Sequence, residues 1–265
     1  MYLEHWGLAR WPFEHGADDE FVFLHEEMKT AQDDLLDAIL RRRGGMLLTG
    51  PIGCGKTTLA QRVLLSLPPE DVEVALIAFP ELSADELLAA ILVEFGLDAD
   101  GDRVMRVQRI ADHLRRLHEE GKQALVCIDE AQAIPDRHAF ETLRLLLGLQ
   151  LAGRFLLSLF LIGQPEIEEK LEQIPALAQR IGLVVRLHPL SPTDTIRYIL
   201  FRLRKAGCKR PILTRQAAEL VFRLTGGIPR RINNLMDRCL VAGMREGARL
   251  IDAALVRRTA ARYAF

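Results

Sequence analysis

Aromatic side chains are scarce, 6% of the 265 residues, with two Trp and three Tyr. Four cysteines, Cys54, Cys127, Cys208 and Cys239, stand without paired spacing, which argues against both a zinc cluster and a disulfide framework and suits reduced thiols. Long apolar runs are missing as well. The longest, 155–163, is broken by Ser158 and falls far short of the roughly 18 residues that a membrane-spanning helix needs. The N-terminal stretch MYLEHWGLARWPFEH has no basic-then-apolar leader and no cleavage site, so the expected location is the cytoplasm. No internal repeat or low-complexity segment appears. What the chain has in quantity is apolar residues, 49% and spread over its whole length, enough for one or two domains with a sizeable core.

Net charge is also nearly absent, −1, but it hides an asymmetry. Residues 1–195 carry 19 Lys and Arg against 32 Asp and Glu, whereas residues 196–265 carry 16 against 4. The two ends are therefore different surfaces. Either they attract each other, within one molecule or between copies, or the basic end meets nucleic acid or another polyanion.

Apolar runs of strand length fall at 46–49, 73–79, 124–129, 155–162 and 183–187. Amphipathic stretches such as 84–95 and 104–120 lie between them, with apolar residues three and four apart. Continuous apolar strands separated by helices imply an α/β fold with a central parallel sheet covered on both faces. After Leu187 the strands stop. Ser191 followed by Pro192 reads as a helix cap with a first-turn proline. Helical patterns follow at 192–206, 214–224 and 229–246, with a short fourth from Ile251. The expected organisation is an α/β domain over 1–190 and a small all-α domain over 191–265.

Gly50-Pro51-Ile52-Gly53-Cys54-Gly55-Lys56-Thr57 matches the G-x-x-x-x-G-K-[ST] phosphate loop, with Thr58 next. Glycines let the backbone wrap so that N–H groups converge on nucleotide phosphates, and the following helix adds its positive end. Lys56 is placed to reach the β- and γ-phosphates, and the Thr57 hydroxyl to bind Mg²⁺. An apolar strand before the loop and an amphipathic helix over 57–67 supply the strand–loop–helix setting that a chance glycine turn lacks. Cys54 reads as a small space-filling residue. The run ending in Asp129 and Glu130 closes a second apolar strand with two carboxylates. Ligands meet the carboxyl ends of strands in a parallel sheet, so Asp129 is assigned to the Mg²⁺ shell and Glu130 to polarising the attacking water.

These motifs together resemble the AAA+ ATPases, P-loop NTPases whose sheet domain is followed by a helical lid. Within that superfamily the chain is similar to the ExeA-like (general secretion pathway protein A) group. The resemblance is carried by Tyr2-Leu3, Trp6-Gly7-Leu8, Pro12-Phe13, the phosphate loop, the CIDEAQ run ending at Gln132, Leu161-Ile162-Gly163-Gln164-Pro165 and Gly226-Gly227-Ile228-Pro229-Arg230-Arg231. It implies ATP as nucleotide, Mg²⁺-dependent hydrolysis, and further roles. Gln164 corresponds to the sensor-1 polar residue. Arg180 corresponds to an arginine finger reaching a neighbouring subunit's nucleotide, with an ordinary surface arginine as the alternative. Arg230 corresponds to the sensor-2 arginine of the lid, and Arg231 competes with it. Phe13 and the segment ahead of Asp33 are implied to lie near the adenine, against the plainer reading of Trp6, Trp11 and Phe13 as core anchors. The implied assembly is a homo-oligomeric ring or filament serving a secretion or pilus-like apparatus. Long members of the group continue into a transmembrane helix and a periplasmic part. Neither is found in these 265 residues, so any attachment to the inner membrane is expected to run through a partner. Related ATPases that regulate transposition on DNA supply the alternative, with the basic C-terminal domain as the DNA contact.

Overall fold

Strand β1 (Gly45–Thr49) is buried along its whole length, as are β3 (Gln123–Ile128) and β4 (Leu157–Gly163). By contrast β2 (Val72–Ile77) is only partly buried, and β5 (Ile181–Arg186) alternates half-buried with exposed residues. That gradient follows from their order. Among the described residues of this computed structural model (1–14, 19–151, 153–263 and 265), these strands form one sheet in the order β2-β3-β4-β1-β5. All of its pairings are parallel. Central strands covered on both faces read as unbroken apolar runs, and edges do not.

The sheet belongs to one compact unit, Glu26–Ile52 with Lys56–Leu187. It carries helices α2 (Glu26–Leu40), α3 (Lys56–Leu65), α4 (Ala84–Glu94), α5 (Arg103–Glu119), α6 (Arg137–Leu147), α7 (Glu166–Glu172) and α8 (Pro175–Ala178), numbered after α1 (Tyr2–Trp6) of the other unit. Ser83 and Glu86 form a capping box that starts α4, and Asp102 and Asp136 cap α5 and α6. Leu87, Leu88, Ile91, Ile110, Leu114, Phe140 and Leu143 pack with Val126, Leu159 and Leu161 into its core.

Expected strand ends move by one or two residues, β5 for instance starting at Ile181 rather than Leu183. β2 stops at Ile77 rather than continuing through Phe79, which is 86% exposed. Arg154–Phe155 pairs back with Gln150–Leu151 in a short antiparallel hairpin, and β4 starts only at Leu157.

The second unit comprises Met1–His25, Gly53–Gly55 and His188–Phe265. Its helices are α1, α9 (Pro192–Lys205), α10 (Arg215–Thr225), α11 (Pro229–Arg245) and α12 (Ala253–Tyr263). Ser191 caps α9 by accepting from the Asp194 N–H at 3.0 Å, with Pro192 in the first turn, as its sequence implied. The N-terminal aromatic segment packs within this unit. Trp6 and Phe13 are 1% and 2% exposed, and the Trp6 indole donates to the Leu240 carbonyl at 2.9 Å. Arg202 fastens the segment further, donating to the carbonyls of Pro12 (2.6 Å) and Glu14 (3.0 Å). Trp6 and Phe13 are thus core anchors of the helical unit, while Trp11 is 39% exposed. No helix among the described residues is long and apolar enough to cross a membrane.

Candidate functional site

The phosphate loop leaves the carboxyl end of β1 and runs into the first turn of α3. Its curvature depends on glycine. A Cβ on Gly50 would stand 2.5 Å from the Leu187 carbonyl oxygen, and Gly53 and Gly55 have φ of 83° and 99°, values that side chains oppose. Pro51 is half-buried, Ile52 exposed and Cys54 buried. Lys56 opens α3, and its ammonium is folded back on the loop, donating to the carbonyls of Gly50 at 2.8 Å and Pro51 at 3.2 Å. Thr57 and Thr58 follow in the same turn.

Parallel pairing brings the other strand tips to this end of the sheet. β3 reaches the site through β4, its neighbour and that of β1. The Thr57 hydroxyl donates to Asp129 Oδ2 at 3.0 Å, so loop and acid pair meet. The other carboxylate oxygen of Asp129 accepts from the Glu130 N–H at 2.8 Å. Glu130 itself is exposed, with φ 50° and ψ 39°. This left-handed conformation is uncommon for a side-chain-bearing residue and turns the chain sharply after Asp129. Gln164 stands just beyond β4, half-buried. Its N–H donates to the Gln132 side-chain oxygen at 2.9 Å.

A hydroxyl and a carboxylate oxygen in contact make a hard, oxygen-only donor pair. Mg²⁺ is usually held by one or two carboxylates together with nucleotide phosphates, rather than by a cage of protein ligands. The residues fit that habit, with one carboxylate, Asp129, beside the Thr57 hydroxyl at the edge of the phosphate loop. Nearby, Thr49 at the end of β1 donates to Glu168 at 2.9 Å, and Arg186 binds the same carboxylate. The Arg186 hydrogen bond holds the Glu168 carboxyl below its ordinary range, against the opposing effect of burial. On β3, burial pushes the Cys127 thiol far up, keeping it protonated and inert.

Arg180 is placed elsewhere. Its carbonyl accepts from the Gly45 N–H at 2.9 Å, at the start of β1, and its guanidinium lies 3.4 Å from the Arg144 carbonyl near the end of α6. This is the amino end of the sheet, away from the phosphate loop of its own chain. In the helical unit, the Arg230 N–H donates to the Gly53 carbonyl at 3.3 Å. Neighbouring Arg231 instead turns its side chain to the Leu224 carbonyl at 3.1 Å. Gln132 is the participant that a reading of charges and glycines passes over. It ends the CIDEAQ run, and its amide contacts both Glu130 and the Gln164 backbone.

The AAA domain family model matches residues 26–171. The chain is 40% identical over 255 residues to general secretion pathway protein A of Aeromonas hydrophila, covering 95% of this chain and 46% of that protein. It is 31% identical over 122 residues to an AAA ATPase forming ring-shaped complexes from Corynebacterium diphtheriae, covering 45% of this chain and 22% of that one. The chain thus spans about half the length of the Aeromonas protein and less of the corynebacterial one. Among solved structures, a chain of Drosophila ORC bound to DNA aligns with a TM-score of 0.73 at 16% identity, covering 97% of this chain and 65% of that chain. At that identity the likeness concerns fold alone.

Proposed function

The chain belongs to the AAA+ ATPases and resembles the general secretion pathway protein A group, and from that premise we propose that it binds ATP with Mg²⁺ and hydrolyses it. The observation carrying this reading is the Thr57–Asp129 contact of 3.0 Å, which joins the phosphate loop to the acid pair. Thr57 and Asp129 would hold the metal, which when bound neutralises charge on the phosphates. Lys56 can swing from the loop carbonyls to the β- and γ-phosphates, exchanging neutral acceptors for charged ones. Glu130 takes the proton of the attacking water, and Gln164 orients that water. Gly50, Pro51, Ile52, Gly53, Cys54, Gly55 and Thr58 cradle the nucleotide through their backbone. Arg180 serves a neighbouring copy's nucleotide, because its own lies at the other end of the sheet. Of the two lid arginines, Arg230 is the sensor-2 residue, since the Arg231 side chain is engaged with α10.

Nucleotide state would then change contacts within a homo-oligomeric ring or filament. Through them it would drive or regulate assembly of a secretion or pilus-like apparatus, with any inner-membrane attachment through a partner. The Aeromonas relative and the ring-forming corynebacterial relative support this reading. In the test, Glu130→Gln keeps ATP binding and loses turnover by about 10²- to 10⁴-fold, the range of a general base. Unchanged turnover removes the assignment.

One observation favours a second reading, ATP-dependent DNA binding. Residues 196–265 carry 16 Lys and Arg against 4 Asp and Glu. Phosphate contacts would make DNA affinity fall steeply with salt. A salt series with and without ATP decides, and absence of nucleotide-dependent binding at low salt disposes of the idea.

A further inference from the structure

The turn that follows β3 is tied to β4 and α7 by side-chain hydrogen bonds. Glu130 occupies the left-handed region, a conformation it shares with Arg42 alone among the described non-glycine residues, and such strain persists only where the surroundings impose it. The Gln132 amide reaches in two directions. Its Oε1 accepts from the backbone N–H of Gln164 at 2.9 Å, and its Nε2 donates to Glu130 Oε2 at 2.5 Å. The orientation of that amide follows from chemistry. The Gln164 N–H can only donate and so must face the oxygen, which leaves the NH₂ group for the carboxylate. The backbone of Gln132 is fixed too, because Lys170 on α7 donates to the carbonyls of Gln132 (2.6 Å) and Ile134 (2.8 Å). Finally, the last residue of β4 leaves space for the amide. A Cβ on Gly163 would stand 2.8 Å from Gln132 Oε1.

We propose that Gln132 is a positioning residue, one that fixes the carboxylate of Glu130 and couples it to the tip of β4 that carries Gln164. This rests on the reading of Glu130 as the group that activates water. An exposed glutamate samples several rotamers, and a donor on one carboxylate oxygen restricts them while leaving the other oxygen free to take a proton. Because the same amide binds the Gln164 backbone, a shift of that segment is passed to Glu130 with no contact between the two side chains. ATP binding uses other groups, so the effect falls on the chemical step.

The experiment measures kcat, affinity for a non-hydrolysed ATP analogue and the thermal unfolding midpoint. It uses Gln132→Met, Gly163→Ala, their double variant and Glu130→Gln as reference. Gln132→Met keeps the bulk and removes both bonds; Gly163→Ala leaves both glutamines intact and displaces the amide. Each single variant is expected to lower kcat by about 10- to 100-fold, the scale of a misplaced reacting group. Analogue affinity should stay within about twofold and the unfolding midpoint should hold, a kcat-only loss that a merely structural role would not give. The double variant should be no slower than Gln132→Met, because both changes act through one amide. Wild-type turnover in Gln132→Met overturns the proposal, as does a further loss when Gly163→Ala is added to it. Should Gln132→Met fail to fold, Gly163→Ala alone decides by the same kcat-to-affinity comparison. If Glu130→Gln itself turns over normally, the general-base reading is at fault. If Glu130→Gln is inactive and Gln132→Met is fully active, only the positioning role is lost.

Discussion

Arg180 offers the sharpest perturbation, because geometry separates it from the site of its own chain. Its carbonyl is bonded to Gly45 at the first residue of β1, whereas the phosphate loop starts after Thr49, the last. The four steps from Gly45 to Thr49, at a rise of about 3.3 Å each, span about 13 Å, and the guanidinium points towards the Arg144 carbonyl. If Arg180 serves hydrolysis, it does so across a subunit boundary. Arg180→Ala is then expected to bind ATP normally and to lose about 10³-fold in turnover, the low end of an arginine finger's contribution. Glu130→Gln is expected to be inactive for a different reason, and it keeps its arginine. In a heterologous ring or filament each site faces its neighbour's opposite surface. An equimolar random mixture of the two variants therefore pairs an intact Glu130 with an intact Arg180 at about a quarter of interfaces. ATPase assays on the mixture should recover about that fraction of wild-type activity, while each variant alone stays inactive. No recovery in oligomers known to contain both variants refutes the reasoning, as does wild-type turnover in Arg180→Ala alone.

Two further outcomes concern the scaffold. Phe160 is fully buried at the middle of β4, paired with Met46 on one side and Cys127 on the other. Phe160→Ala should cost about 3–5 kcal/mol in urea unfolding, and a loss below about 1 kcal/mol, typical of a surface change, contradicts the described packing. Glu168 has its carboxyl held below the ordinary range, chiefly by the Arg186 hydrogen bond. Its stabilising effect is therefore complete above the unfolded value of about 4.3 and is lost as pH falls through the lower folded value. The unfolding midpoints of the protein and of Glu168→Gln should differ at neutral pH and converge only in strong acid, whereas a gap that ignores pH would refute this.

How much of this was legible depended on how local the cause is. The central strands were visible to within one or two residues because two-sided burial writes an unbroken apolar run. β2 was overextended because Ala78 and Phe79 are apolar yet lie outside it, and hydrophobicity alone does not report burial. Helix α6 was passed over although Asp136 caps it and Phe140, Leu143 and Leu147 recur at helical spacing. The hairpin at Gln150–Phe155 has strands too short to leave a pattern. Nor does composition reveal that residues 1–14 join the helical unit, since this depends on a buried guanidinium, Arg202, reaching backbone carbonyls nearly two hundred residues earlier in the chain. Within the site, the phosphate loop and acid pair were readable because their chemistry sits in contiguous residues. The two hydrogen bonds of the Gln132 amide were hidden, because one of them reaches the Gln164 backbone 32 residues away in the chain.

The position of β1 inside the sheet bears on how the protein is made. Its two flanking strands, 157–163 and 181–186, are translated more than a hundred residues after it. Until they leave the ribosome, the segment that will carry the glycine turn has two open edges and, at Met46, Leu47 and Leu48, an apolar centre. Such a nascent strand is exposed to misassociation during synthesis. A chain released before residue 157 would have the complete glycine-lysine motif without either of the strands that flank β1 in the sheet.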